Sequence, residues 1–175
     1  METDRASSKK IIINYGILLG IVSTALGIVL YTLGTYTDPH WIFSVLGFLI
    51  LIGIIGYGIK TFKTQNNGYL ILTDALKIGI GIALIGGIIG ALWSVVLTTV
   101  IEPDYTQQVL ETQRIKMIET YPDFSKEQID QSMSIVEKFS SPFVSVAISI
   151  IGNLFFGFII SMIVGLIMQK KEELH

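Results

Sequence analysis

Apolar and polar positions are sorted along this chain into long blocks. Four almost uncharged apolar runs cover about residues 11–34, 41–60, 73–101 and 143–168, and one charged stretch fills 102–142. An α-helix needs about 20 apolar residues to cross roughly 30 Å of hydrocarbon, and each run is long enough. No run alternates with the period of two that a membrane β-barrel requires. The pattern therefore predicts an all-α membrane protein: four transmembrane helices in one domain, with a short helical insertion between helices 3 and 4.

The ends of the runs carry start and stop signals. Asp38-Pro39 marks a turn before the second run. Thr73 is the expected N-cap of the third, with Asp74 in its first turn where an acid suits the helix dipole. Pro103 stops that run. Pro142 opens the fourth in the first helical turn, where its missing N–H costs nothing. The first run follows Arg5, Lys9 and Lys10, as a signal peptide would. It exceeds the roughly 7–15 apolar residues of a signal core, and no small-x-small cleavage site follows, so it reads as a retained helix.

Charge then orients the bundle. Lys9, Lys10, Lys60, Lys63, Lys77, Lys170 and Lys171 all fall on one side of four spans, whereas the 1–2 loop has no Lys or Arg. The positive-inside rule puts both termini and the 2–3 hairpin in the cytoplasm, and the 102–142 insertion outside. Tyr31, Tyr36 and Trp41 belong near the outer interface, and Tyr15 and Tyr57 near the inner one. The expected location is an inner membrane.

The insertion reads as two helices, about 105–120 and 126–139. Asp104 is the expected cap of the first, with Leu110, Met117 and Ile118 on one face. Ser125 and Gln128 have capping-box spacing for the second, with Ile129, Met133 and Val136 on one face. Eight acids stand against four bases from Glu102 to Lys138, a net of −4. The segment is either a cap that binds a partner or cations, or a solvated helical hairpin. Glu102 and Asp104 sit where a span ends, where acids are ordinary, and no histidine is near them in sequence.

Composition narrows the function classes. Half of the 175 residues are hydrophobic, only 15% are charged, the net charge is −2 and there is no cysteine. Nucleic acid is not an expected partner, because there is no basic footprint. Disulfides, thiolate zinc sites and cysteine nucleophiles are excluded. His40 and His175 lack metal-ligand spacing. Asn66-Asn67-Gly68 is a turn signal, and its glycine and lysine spacing does not make a phosphate loop. No cofactor, metal site or catalytic constellation is expected.

Small residues are the remaining pattern. Gly79, Ala83, Gly87 and Ala91 recur every four residues in the third span, beside a row of Gly86, Gly90 and Ser94. Gly157, Ser161 and Gly165 repeat the spacing in the fourth, and Gly16, Gly20 and Thr24 in the first. Such rows let membrane helices approach closely. They serve either packing within one bundle or association with a second copy or another membrane protein. Asn153 is the most polar side chain deep in a span. It either bonds a neighbouring helix or marks a substrate path. No span holds a mid-membrane charged residue or histidine, which weighs against a proton relay.

Gly58-Ile59-Lys60, Phe62-Lys63, Asn67-Gly68 and Ala75-Leu76-Lys77-Ile78-Gly79 resemble the pattern of a bacterial four-span membrane family, domain of unknown function 4199. Members show a GIK-x-[YF]-[RK] run, an NGG-like turn, an acidic loop before the last span and a lysine-rich end. This chain differs at Tyr69, where a second glycine is usual, and at Leu76, where phenylalanine is common. The resemblance implies a membrane location and brings no catalytic residues. The expectation is a non-enzymatic structural, accessory or partner-binding membrane protein, with a small oligomeric transporter or permease subunit as the alternative.

Overall fold

The computed structural model describes residues 7–170. Lys171, like Arg5 and His175, lies outside the described residues. Among those described there are six α-helices and no β-strand: α1 (Ser8–Thr32), α2 (Trp41–Gln65), α3 (Leu72–Val96), α4 (Tyr105–Thr120), α5 (Lys126–Phe139) and α6 (Pro142–Met168). Four helical stretches are long and apolar enough to span a membrane: α1, α2, α3 with its extension to Ile101, and α6. Helix α3 is the centre of the bundle. It packs chiefly against α1 on one side and α6 on the other, and α2 touches all three.

Local chemistry explains the boundaries. Helix α2 runs five residues past the predicted limit at Lys60. Phe62 is buried there, and the Thr61 and Thr64 hydroxyls donate to the carbonyls of Tyr57 and Lys60. Asn67 and Gly68 end the helix in left-handed conformations, φ 55° and 82°, which Asn tolerates and Gly adopts without penalty. The chain then stays extended. Leu70 exchanges both backbone hydrogen bonds with Lys170, each 2.9 Å.

That pairing corrects the expected start of α3. Ile71 occupies the N-cap position, not Thr73, because the extended segment held by Lys170 turns helical directly at Leu72. Asp104 does hold the N-cap position of α4, but its side chain caps nothing. Its backbone lies at φ −86° and ψ 4°, away from the extended geometry that aims a capping oxygen at the first turn. Ser125 and Gln128 form the full capping box of α5.

Beyond Val96, α3 widens into a π-helical turn, Leu97–Ile101. The Glu102 N–H reaches back five residues to the Leu97 carbonyl at 2.7 Å. The Thr98 and Thr99 hydroxyls occupy the carbonyls of Ser94 and Val95. Pro103 then supplies no N–H to continue the helix.

The buried cluster is confined to one half of the bundle. Ile11, Leu51, Ile55, Ile59, Phe62, Leu70, Ala75, Ile78, Ile82, Ala83 and Ile160 are all within it. In the opposite half the apolar side chains of α2 at 41–49 and of α6 at 143–156 are largely exposed. Helices α2 and α6 are packed tightly at the end that holds the 2–3 hairpin and loosely at the end that carries α4 and α5, whereas α1 stays close to α3 as far as Gly27, which Trp93 covers.

Candidate functional site

The α3–α6 seam is built from the small-residue rows. At Gly79 an added Cβ would fall on the Ser161 side chain and 3.1 Å from Ile55 Cγ2. At Gly157 it would stand 2.5 Å from the Ala83 Cβ, and at Gly165 2.8 Å from the Ala75 Cβ. Ser161 is fully buried, and its hydroxyl donates to the Gly157 carbonyl at 2.6 Å. Ala91 is buried further along α3. The opposite face of α3 meets α1. Leu19 covers Gly86, Ile85 covers Gly16, and Ile89 covers Gly20. Gly90 faces open space.

Asn153 lies where this seam loosens. Its Nδ2 would be 3.2 Å from a Cβ at Gly87, and its amide has no hydrogen-bond partner among the described residues. Asn153 is half-buried, whereas the Thr24 hydroxyl on α1 is fully buried without a partner.

Six lysines of the described residues gather at the tight end. Lys63 Nζ donates to the Met168 carbonyl at 2.8 Å, and Lys170 Nζ lies 5.7 Å from the Tyr69 ring centre. Lys9 and Lys10 open α1, Lys60 is near the end of α2, and Lys77 is in the first turns of α3. They share that end because those four helix ends converge there. Tyr15 belongs to it too, with its hydroxyl 2.9 Å from Thr61 Oγ1 and its ring edge-on to Tyr57.

At the other end α4 and α5 form an antiparallel hairpin. Ile129 and Met133 are buried, and Leu110 and Met117 half-buried, but Ile118 is 49% exposed, so only part of the apolar face expected of α4 is covered. Arg114 pairs with Asp130 across the hairpin. Lys116 pairs with Asp38, which ties α4 to the α1–α2 turn. Tyr31 donates to Glu102 at 3.2 Å, Tyr36 donates to Gln108 at 2.8 Å, and Tyr36 stacks on Tyr105 with ring centres 5.9 Å apart. Glu102 also accepts from Gln108. It is occupied as a structural acceptor, while Asp104 is exposed. Burial pushes the Tyr105 phenol above its usual range, with the Tyr36 phenol adding to the effect.

A cavity of about 470 Å³ lies between this hairpin and the span ends. Ser94 and Thr98 of α3 and Ser145 and Ser149 of α6 line its floor, and Tyr105, Ile135 and Phe139 its roof. Sequence reasoning missed it. The signal was present as a row of Ser141, Ser145, Ser149 and Asn153, which continues the Gly157, Ser161, Gly165 spacing to the start of α6. One helix face is thus small and tight at one end, and small and hydroxylated at the other.

Neither the curated proteins nor the solved structures contain a significant match to this chain. A family profile does, over nearly its whole length. With residues 14–170 matched, from the first turns of α1 to the backbone bridge at Lys170, the chain belongs to the family described as Protein of unknown function (DUF4199).

Proposed function

We propose that this protein is a non-enzymatic accessory membrane protein that presents the acidic α4–α5 hairpin to a membrane or soluble partner. The observation that carries the reading is the hairpin itself. It is folded and capped, and it is fastened to the α1–α2 turn through Lys116–Asp38 and Tyr36–Gln108. Its acids Glu111, Glu119, Asp123, Glu127 and Glu137 all remain exposed. The four spans lie in a bacterial inner membrane with both termini in the cytoplasm and the hairpin outside. The gathering of lysines at the opposite end supports this orientation.

Two measurements test the proposal. Gln113 is exposed on α4. As a single cysteine it should react with an impermeant maleimide applied from the periplasmic side, and labelling only after the inner membrane is broken would reverse the orientation. Purification in gentle detergent at native expression should yield a stoichiometric second protein. Its yield should fall when the exposed hairpin acids are replaced by their amides.

The second reading, an oligomeric transporter subunit, is favoured by the unpartnered amide of Asn153 in the loose half of the bundle. Asn153→Leu separates the two. An accessory protein keeps its function when assembly is intact, and a path-lining role is lost.

A further inference from the structure

The cavity under the hairpin combines three features. Its lining, among the described residues, is hydroxyls and apolar groups with no charged side chain. Several of the hydroxyls are unspent: Ser94, Tyr105, Thr106 and Ser149 make no side-chain hydrogen bond among the described residues, whereas Thr98 and Ser140 donate to helix carbonyls. Its volume, about 470 Å³, falls among small-molecule sites of roughly 300–1,000 Å³. It also sits where two apolar spans end, so it lies at headgroup depth in any bilayer that these helices cross. The apolar side chains beside its floor, Leu92 and Val96 on α3 and Ile148 and Ile151 on α6, are exposed on the lipid-facing surface.

We propose that this cavity holds the headgroup of a membrane lipid that is uncharged and bears hydroxyls, a diacylglycerol or a neutral glycolipid. The unspent hydroxyls exchange hydrogen bonds with those of the headgroup. The acyl chains leave along the exposed apolar surface of α3 and α6. A phosphate-bearing headgroup is disfavoured twice. No lysine or arginine lines the cavity, so an anion would be desolvated without a partner. The segment from Glu102 to Lys138 above it also carries a net charge of −4, eight acids against four bases. The cavity lies at headgroup depth whichever side of the membrane the hairpin faces.

The test is native mass spectrometry of the full chain in detergent micelles. They are doped in turn with dioleoylglycerol, monoglucosyl-dioleoylglycerol or dioleoylphosphatidylglycerol. One or both neutral lipids should remain as a single-copy adduct, at least about tenfold over the phosphatidylglycerol, a preference of about 1.4 kcal/mol. Retention of the glucosyl lipid alone would assign recognition to the sugar, and of both to the glycerol hydroxyl region. Tyr105→Phe keeps the ring and removes one hydroxyl. It should weaken retention about fivefold, the worth of one neutral hydrogen bond. Ser149→Phe fills the floor and should abolish retention, whereas Ser44→Phe on the exposed face of α2 should leave it unchanged. Phosphatidylglycerol held as strongly as the neutral lipids would overturn the proposal. So would no retention of either neutral lipid, or retention indifferent to Tyr105→Phe and Ser149→Phe.

Discussion

Gly152 and Gly157 stand five residues apart on the same helix in opposite surroundings. A Cβ at Gly152 meets nothing within 4 Å, whereas one at Gly157 stands 2.5 Å from the Ala83 Cβ and 3.5 Å from the Gly79 carbonyl oxygen. Carbon atoms rest about 3.5–4.0 Å apart, so Gly157→Ala must push α3 and α6 apart by about 1 Å. Overpacking of this kind costs about 1–3 kcal/mol. Gly152→Ala has no such cost and gains up to about 1 kcal/mol from the better helix propensity of alanine. Gly157→Ala shares that gain, so the two variants should separate by the overpacking cost alone, about 1–3 kcal/mol. Unfolding of the purified protein in mixed micelles, titrated with a denaturing detergent and followed by circular dichroism, measures the difference. The Ala83→Gly, Gly157→Ala double variant moves the methyl across the seam and should recover most of the loss. Equal stabilities of the two single variants, or no recovery in the double variant, would refute this account of the seam.

Three further outcomes follow from the structure. Lys63→Met removes a charged donor from the last carbonyls of α6 and should lower stability by about 1 kcal/mol in the same titration. The Arg114–Asp130 pair is exposed, 43% and 48% by side chain, so Asp130→Ala should cost less than about 1 kcal/mol, and nothing measurable in high salt. The Glu127 backbone N–H and the Ser125 hydroxyl hold the Glu127 carboxyl below its ordinary range. Because the folded value is the lower one, its contribution to α5 is present above the ordinary carboxylate range and is lost as pH falls through the lowered value. Ser125→Ala should return that carboxyl toward the ordinary range in a carbon-13 NMR titration.

The sequence alone determined the six helices and the apolar length of the four spans. Both are local properties. A run of 20 or more apolar residues has few alternatives in a bilayer, where each backbone polar group must be bonded within its own helix. The capping box at Ser125 and the break at Asn67-Gly68 were equally legible, because a cap or a left-handed turn depends on two or three neighbouring residues. The Thr73 cap was misread because Lys170, about a hundred positions away, decides where α3 begins. The rows of small residues were visible too, but not which helix each row meets. Only the tertiary structure assigned the Gly79 row to α6 and split the other row, with Gly86 against α1, Gly90 in open space and Ser94 in the cavity floor. Partner choice depends on how three helices pack around α3, which no single helix encodes. The cavity has the same origin. Ser94, Tyr105 and Ser149 lie on three helices and become one surface only because the bundle splays at the end where α4 and α5 fold back over it.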